Sequence, residues 1–298
     1  MIIGSHVSFK QDQLLGSVKQ ALAYGANTFM FYTGAPQNTV RKPIDSNLTF
    51  EALELMEQNG IDIKNVICHA PYIVNLANRE KEDSWNFSCS FLKQELSRIS
   101  EMHVRYMVLH PGNSLKLERT QALQNISAAL NFIIDEETEP MILLETMAGK
   151  GTECGVNLEE IKFILDHVQR PEKVGVCLDT CHLNDAGVDI KYFDDYLEKF
   201  DKVIGIDKIK CVHLNDSKNE IGSHKDRHAN IGYGTIGFEN LIHVAYMDKL
   251  KDVPKILETP WVLEYPPYKL EISMIRNKEF IPNLEEQLAN LYRNDPNF

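Results

Sequence analysis

Short apolar runs alternate with longer stretches of helical period along the whole chain. Runs at 2–7, 28–33, 66–70, 106–110, 141–146, 174–179, 209–214 and 255–259 are rich in β-branched and aliphatic residues and bounded by polar ones, as buried strands are. Between them, apolar residues recur at helical spacing over 14–24, 50–58, 85–102, 122–134, 158–168, 192–200 and 238–250, with a last helical stretch at 283–292. Alternating strand and helix predicts a parallel sheet. Eight such units predict an α/β fold closed into a (β/α)8 TIM barrel rather than an open doubly wound sheet. No G-x-G-x-x-G or Walker loop favours the open form, and no Pro- or Gly-rich linker divides the chain. One domain over residues 1–298 is the expectation.

Composition narrows the setting. A net charge of −12 argues against a protein that coats nucleic acid nonspecifically, but leaves room for a local cationic site. The six cysteines (68, 89, 154, 177, 181 and 211) form no C-x-x-C pair or regular framework, which suits free thiols in a reducing cytoplasm. The opening Met-Ile-Ile-Gly-Ser-His enters a strand without a leader pattern, and no apolar run approaches a membrane span. A cytoplasmic monomer with no membrane contact is expected.

The chemistry lies in how the strands end. Val-Ile-Cys-His69, Met-Val-Leu-His110, Ile-Leu-Leu-Glu145, Val-Cys-Leu-Asp179, Cys-Val-His213 and Ile-Leu-Glu258 are six consecutive strands, each apolar until a metal-type ligand appears at its C-terminal edge. Such strands are buried on both faces, so a polar residue there needs a partner. Alternation puts Ile67 with His69, Cys177 with Asp179 and Cys211 with His213 on one face. That rim is where barrels of this kind keep their active sites. His182, Asp226 and His228 are expected to reach the same rim from loops. Five histidines and four carboxylates thus converge, more than one zinc needs at roughly three or four ligands. Unpaired, the four carboxylates would repel and drive up one another's pKa values. Three divalent cations would turn their −4 into +2, a local attraction for phosphate.

Together with Cys-His69-Ala-Pro-Tyr72, Leu-His110-Pro-Gly, Leu-Leu-Glu145-Thr-Met-Ala-Gly, Leu-Asp179-Thr-Cys-His182, His213-Leu-Asn-Asp-Ser-Lys, Asp226-Arg-His228 and Leu-Glu258-Thr-Pro, these motifs make a sequence that resembles the endonuclease IV family over nearly its whole length. The resemblance implies a zinc-dependent apurinic/apyrimidinic (AP) endonuclease for DNA repair. Such an enzyme cuts double-stranded DNA 5′ of an abasic site, leaving a 3′-hydroxyl and a 5′-deoxyribose phosphate, and clears blocked 3′ ends. It also implies three zinc ions per chain: one on His69, His110 and Glu145, a second on Glu145, Asp179, His213 and Glu258, and a third on His182, Asp226 and His228. Glu145 then bridges two metals and belongs to the catalytic machinery, with a metal-bound hydroxide as nucleophile and the remaining metal on the leaving 3′-oxygen.

The departures fall in the loops expected to enter DNA. Ile73 follows Tyr72 where some relatives carry leucine, and the 35–42 loop lacks a clear counterpart to an arginine of one bacterial relative. Tyr72 and Ile73 are assigned to the DNA-binding edge, with Arg41 and Arg227 on phosphates. His6 is either a support for a metal ligand or a core histidine, and His103, His167 and His243 lie in helical patterns away from the rim. A metal-dependent sugar isomerase would use Glu145, Asp179, His213 and Glu258 alone, leaving five ligands without a task. A noncatalytic abasic-DNA binder would waste an open, charged rim.

Overall fold

A computed structural model describes residues 1–294, so the last four residues of the expected 1–298 domain lie outside the described part. Seven strands, β1 (Ile3–His6), β2 (Thr28–Phe31), β3 (Ile67–His69), β4 (Tyr106–Leu109), β5 (Met141–Glu145), β6 (Val174–Asp179) and β7 (Ile209–His213), pair in parallel with their chain neighbours. The chain then makes a two-stranded antiparallel ladder, β8 (Asp216–Ser217) with β9 (His228–Ala229). β10 (Lys255–Leu257) inserts between β7 and β1 and closes the eight-stranded barrel.

The pleat explains what the barrel holds. Met30, Ile67, Val108, Leu143, Cys177, Cys211 and Ile256 form an apolar cluster of their own. On β1 the register partner of Ile256 is Gly4, where a Cβ would come 1.8 Å from the Thr28 carbonyl oxygen, so only glycine fits. Residues in between, such as Val66, Cys68, Leu109, Leu144 and Leu178, belong to the larger core that also takes up the helices. Two residues further along each inward-facing row stand His6, Tyr32, His69, His110, Glu145, Asp179, His213 and Glu258. One polar side chain per strand therefore caps an apolar floor.

The helices are α1 (Gln13–Ala23), α2 (Ser46–Gln58), α3 (Glu82–Glu101), α4 (Arg119–Ile133), α5 (Leu158–Asp166), α6 (Thr180–Asp185), α7 (Phe193–Val203), α8 (Phe238–Ala245), α9 (Tyr268–Asn277) and α10 (Leu284–Asn294). Among the described residues, none is long and apolar enough to cross a membrane. α2 begins a turn before its apolar pattern because Asp45 accepts from Asn47 N (2.9 Å) and Leu48 N (3.3 Å), a cap of about 1 kcal/mol. The helical stretch predicted at 238–250 divides into α8 and a 3-10 turn, Asp248–Leu250.

Two expectations need correction. The helix that completes the eighth unit is α9, directly after Pro266 and Pro267, while the stretch predicted at 283–292 is an additional helix, α10. His182 and His228 are not on irregular loops: they sit on α6 and β9. His110 and Glu258 stand one residue beyond the ends of β4 and β10.

α9 is tied to the rim by Glu271, which is fully buried. It accepts from Asn230 Nδ2 (3.1 Å) and Ile231 N (3.0 Å) and shares a hydrogen bond with the Thr259 hydroxyl. Burial pushes its carboxyl up to about 7, against the hydrogen bonds that favour ionisation. The folded chain thus holds this proton more tightly than the unfolded one. The stabilisation is fully present below the ordinary carboxylate range and is lost as pH rises through about 7. Glu271→Gln keeps the acceptor for Asn230 and Ile231 and removes the titration. Urea unfolding at pH 5 and pH 8 should show wild type losing up to about 3 kcal/mol more than the variant between the two. Parallel pH dependences would exclude Glu271 as the source.

Candidate metal centre

Glu145 is the hub. Its side chain is 1 % exposed, and each oxygen meets two imidazoles: Oε2 lies 3.3 Å from His69 Nε2 and 3.0 Å from His110 Nε2, and Oε1 lies 3.3 Å from His182 Nδ1 and 3.1 Å from His213 Nδ1. His213 Nδ1 is also 3.0 Å from Glu258 Oε2 and 3.8 Å from Asp179 Oδ2. On the far side His182 Nε2 is 3.0 Å from Asp226 Oδ1, and His228 Nε2 is 3.5 Å from Asp226 and 3.7 Å from Asp179. All nine side chains singled out in the sequence meet here. They fall into three compact groups: His69, His110 and Glu145; Glu145, Asp179, His213 and Glu258; and His182, Asp226 and His228.

Backbone carbonyls fix the tautomers of three of these histidines. His69 Nδ1–H donates to Ala70 O (2.7 Å), His182 Nδ1–H to Thr146 O (2.9 Å) and His228 Nδ1–H to Glu258 O (3.1 Å). A carbonyl only accepts, so each Nδ1 carries a proton and each Nε2 is the atom left to take either a second proton or a cation. Those Nε2 atoms face carboxylate oxygens of Glu145, Asp226 and Asp179. Acceptor facing acceptor at 3.0–3.7 Å is repulsive unless a proton or a cation lies between. His213 Nε2 and His228 Nε2 are buried without a hydrogen-bond partner. The donor set, imidazole nitrogen and carboxylate oxygen with no thiolate in the three groups, fits zinc or a similar divalent cation.

Protons fill the role of cations in the bare chain. Burial opposes ionisation of Glu145, yet the imidazoles of His110 and His213 outweigh it and hold the carboxyl well below its usual range. Burial likewise opposes protonation of His182, but Asp179, Asp226 and Glu145 raise its pKa well above the ordinary imidazole value. A divalent cation entering this cluster would have to displace protons, so its retention would fall with pH.

Other buried polar residues aim these side chains. Asp179 caps α6 by accepting from His182 N (2.8 Å), so one strand end positions a cluster histidine on the following helix. Asn215 donates to Asp179 Oδ2 (2.8 Å) and accepts from Glu258 N (2.8 Å), joining β6 to β10. Asp185 accepts from Asp226 N (2.8 Å), Asn219 Nδ2 (2.8 Å) and Ser217 Oγ (2.7 Å), and so holds the turn in which Asp226 adopts φ +56°. Asn215 and Ser217 lie inside the His213 motif, but only their packing reveals the task.

The DNA-edge residues divide. Tyr72 and Ile73 are 55 % and 43 % exposed just past β3, and Arg227 is exposed between Asp226 and His228. Arg41 departs from the expectation of a phosphate contact. Its side chain is 7 % exposed, and its Nε lies 3.1 Å from Glu95 Oε1 and donates to Thr33 Oγ1. Nη1 donates to Val40 O (2.9 Å) and Asn38 O (3.1 Å), and the guanidinium lies over Phe91. A guanidinium committed to a buried carboxylate braces its own loop. His6 is half-buried, its Nε2 without a hydrogen-bond partner, and its ring lies against Tyr32, which in turn packs on His69. His243 forms an exposed pair with Asp194, far from the centre in the fold.

Known proteins share this arrangement of elements. Residues 18–278 match the family model of the xylose isomerase-like TIM barrel. The chain is 50 % identical over 292 residues to a probable endonuclease 4 of Acholeplasma laidlawii, covering 97 % of this chain and 99 % of that one. It is 49 % identical over 284 residues to a probable endonuclease 4 of Mesoplasma florum, covering 94 % and 97 %. Among solved structures, endonuclease IV from Thermus thermophilus superposes with a TM-score of 0.79 at 29 % identity, covering 93 % of this chain and 98 % of that one. A D-tagatose 3-epimerase-like protein, at 18 % identity and a TM-score of 0.67, shares the fold. With relatives this similar along almost its entire length, the chain belongs to the endonuclease IV family.

Proposed function

We propose that this protein is a DNA-repair AP endonuclease that hydrolyses the phosphodiester 5′ of an abasic site, leaving a 3′-hydroxyl and a 5′-deoxyribose phosphate, and that also clears blocked 3′ ends. The observation that carries this reading is the set of imidazole Nε2 atoms aimed at carboxylate oxygens around a buried Glu145. Three zinc ions are the proposed occupants, held by His69, His110 and Glu145, by Glu145, Asp179, His213 and Glu258, and by His182, Asp226 and His228. Bound there, they would supply Lewis acidity: an activated water near neutral pH and neutralisation of charge on the phosphate and the departing 3′-oxygen.

The chain's own groups do the positioning. Glu145 joins the first two groups through its two oxygens. Ala70, Thr146 and Glu258 carbonyls keep three imidazoles in the tautomer that binds, and Asn215 keeps Asp179 and the start of the Glu258 segment in register. Tyr72 and Ile73, large and exposed beside His69, would fill the gap left by the missing base. Arg227, between two ligands, would hold a backbone phosphate. A sugar isomerase would engage only the second group. The organised turn that carries Asp226 and His228 would then have no use, so the phosphodiesterase reading is preferred.

Elemental analysis of the purified protein should find about three divalent ions per chain, predominantly zinc, with retention falling at acid pH. Full activity with a single ion would favour the isomerase reading.

Glu145→Gln preserves size and removes the charge shared by two groups. Cleavage of a duplex with one abasic analogue should fall by at least about two orders of magnitude, while much of the duplex affinity survives. Near-normal single-turnover cleavage would take Glu145 out of the mechanism.

The double variant Asp226→Asn, His228→Gln should retain two ions and cleave poorly. Its defect should shrink when sulfur replaces the bridging 3′-oxygen, because that leaving group needs less stabilisation. Wild-type rates at two ions per chain would show the third group to be dispensable.

A further inference from the structure

The segment after Glu258 carries a feature that the metal centre does not use. Trp261 is 60 % exposed and Leu263 49 % exposed. Val262 N donates to Tyr265 O (3.0 Å) and Tyr265 N to Val262 O (2.9 Å), closing a tight hairpin. Its two tip residues, Leu263 (φ +51°) and Glu264 (φ +68°), both lie in the left-handed region that glycine or asparagine normally fills in such turns. Residues other than these persist there only where the surroundings over-determine the backbone.

Both arms are clamped. On one arm the Tyr268 hydroxyl donates to Thr259 O (3.3 Å), two residues before Trp261. On the other arm the Tyr265 ring stacks on Tyr292 of α10, with centroids 4.3 Å apart and planes at 11°. Val262 packs on the Leu284, Leu288 and Tyr292 cluster, and the Tyr292 hydroxyl donates to Pro266 O (2.9 Å). α10, the helix beyond the eight barrel units, thus braces this hairpin.

A large aromatic face held in water on a stiffened backbone is a preorganised contact, since the backbone that presents it has little left to order on binding. Its location selects the partner. The hairpin leaves the same rim as the candidate centre, three residues past Glu258, and Tyr72 and Ile73 stand three strands away through β1 and β2. The two exposed groups therefore stand at separate places around one mouth. Resting on the endonuclease reading above, we propose that Trp261 is a stacking platform for a nucleobase flanking the lesion, with Leu263 beside it, on the side of the mouth away from Tyr72 and Ile73. Every base has a π-face, so the contact strengthens binding to an opened or bent duplex without selecting a sequence.

The chain has two tryptophans, and Trp85 is only 5 % exposed, so the difference between wild type and Trp261→Phe isolates the Trp261 emission. The metal-loaded protein is titrated with a labelled duplex carrying an abasic analogue and a methylphosphonate at the scissile position, which resists hydrolysis. Label anisotropy reports binding, and tryptophan emission reports stacking. Saturation should quench the Trp261 emission. Trp261→Ala should weaken binding about tenfold, the loss of roughly one base–aromatic stack, and Trp261→Phe, which keeps a ring, clearly less. Unchanged emission at saturating anisotropy, or equal affinity of Trp261→Ala and wild type, overturns the stacking role and leaves the endonuclease reading standing. Emission that shifts with protein concentration in the absence of DNA makes the hairpin a self-association surface and also overturns it. A wild-type protein whose anisotropy never rises with any duplex brings down the endonuclease reading, and this inference with it.

Discussion

Burying a carboxylate at the mouth of a barrel is costly unless positive charge comes with it, and that constraint organises this molecule. Glu145 has almost no contact with solvent, so each of its oxygens must be met from within the protein. Two imidazoles meet each one, contributed by β3, by β7, by the residue after β4 and by α6. Removing any of them would leave a buried charge underneutralised. The strand ends of half the barrel are therefore coupled through one side chain.

The supports follow from the same need. A ligand histidine must present one nitrogen only, and the simplest device is a backbone carbonyl that the strand or turn leaves open. Three such carbonyls are used. Asp179 serves twice, in the cluster and as the cap of α6, which ties the helix direction to the centre. Asp216 gathers the backbone N–H groups of Ser217, Gly232, Gly234 and Ile236, so the long connection between β7 and β10 is organised around one buried acid. Irregular backbone is here held by side-chain acceptors where no ladder is available.

The barrel itself is shared with sugar-modifying proteins of low identity, and shared architecture says little about chemistry. The Asp226 turn, the exposed Tyr72–Ile73 pair and the clamped 261–265 hairpin all project from the same rim. The apolar floor of Met30, Ile67, Val108 and their neighbours leaves these loops free to vary, because it closes the barrel without them.

Alternation along a strand is a local property, so the six strand ends that converge on the cluster were legible from residue order alone: Ile67 inward places His69 inward, and likewise Cys177 with Asp179 and Cys211 with His213. The same locality marked the eight strands and most of the helices. Where a residue's role depends on a partner distant in the chain, the pattern carried no signal. Arg41 reads as a loop cation free for phosphate, and only the fold brings Glu95 beneath it to draw the guanidinium inward. His182 reads as a loop residue, and it is the capping contact with Asp179 in the folded rim that winds its segment into a helix. α9 is hidden behind a double proline and is secured by burying Glu271 against Asn230, Ile231 and Thr259, contacts up to 41 residues apart. Periodicity fixes which face a side chain takes. Which partner waits on that face is decided by closure of the barrel, because only closure brings distant strands within a hydrogen bond of one another.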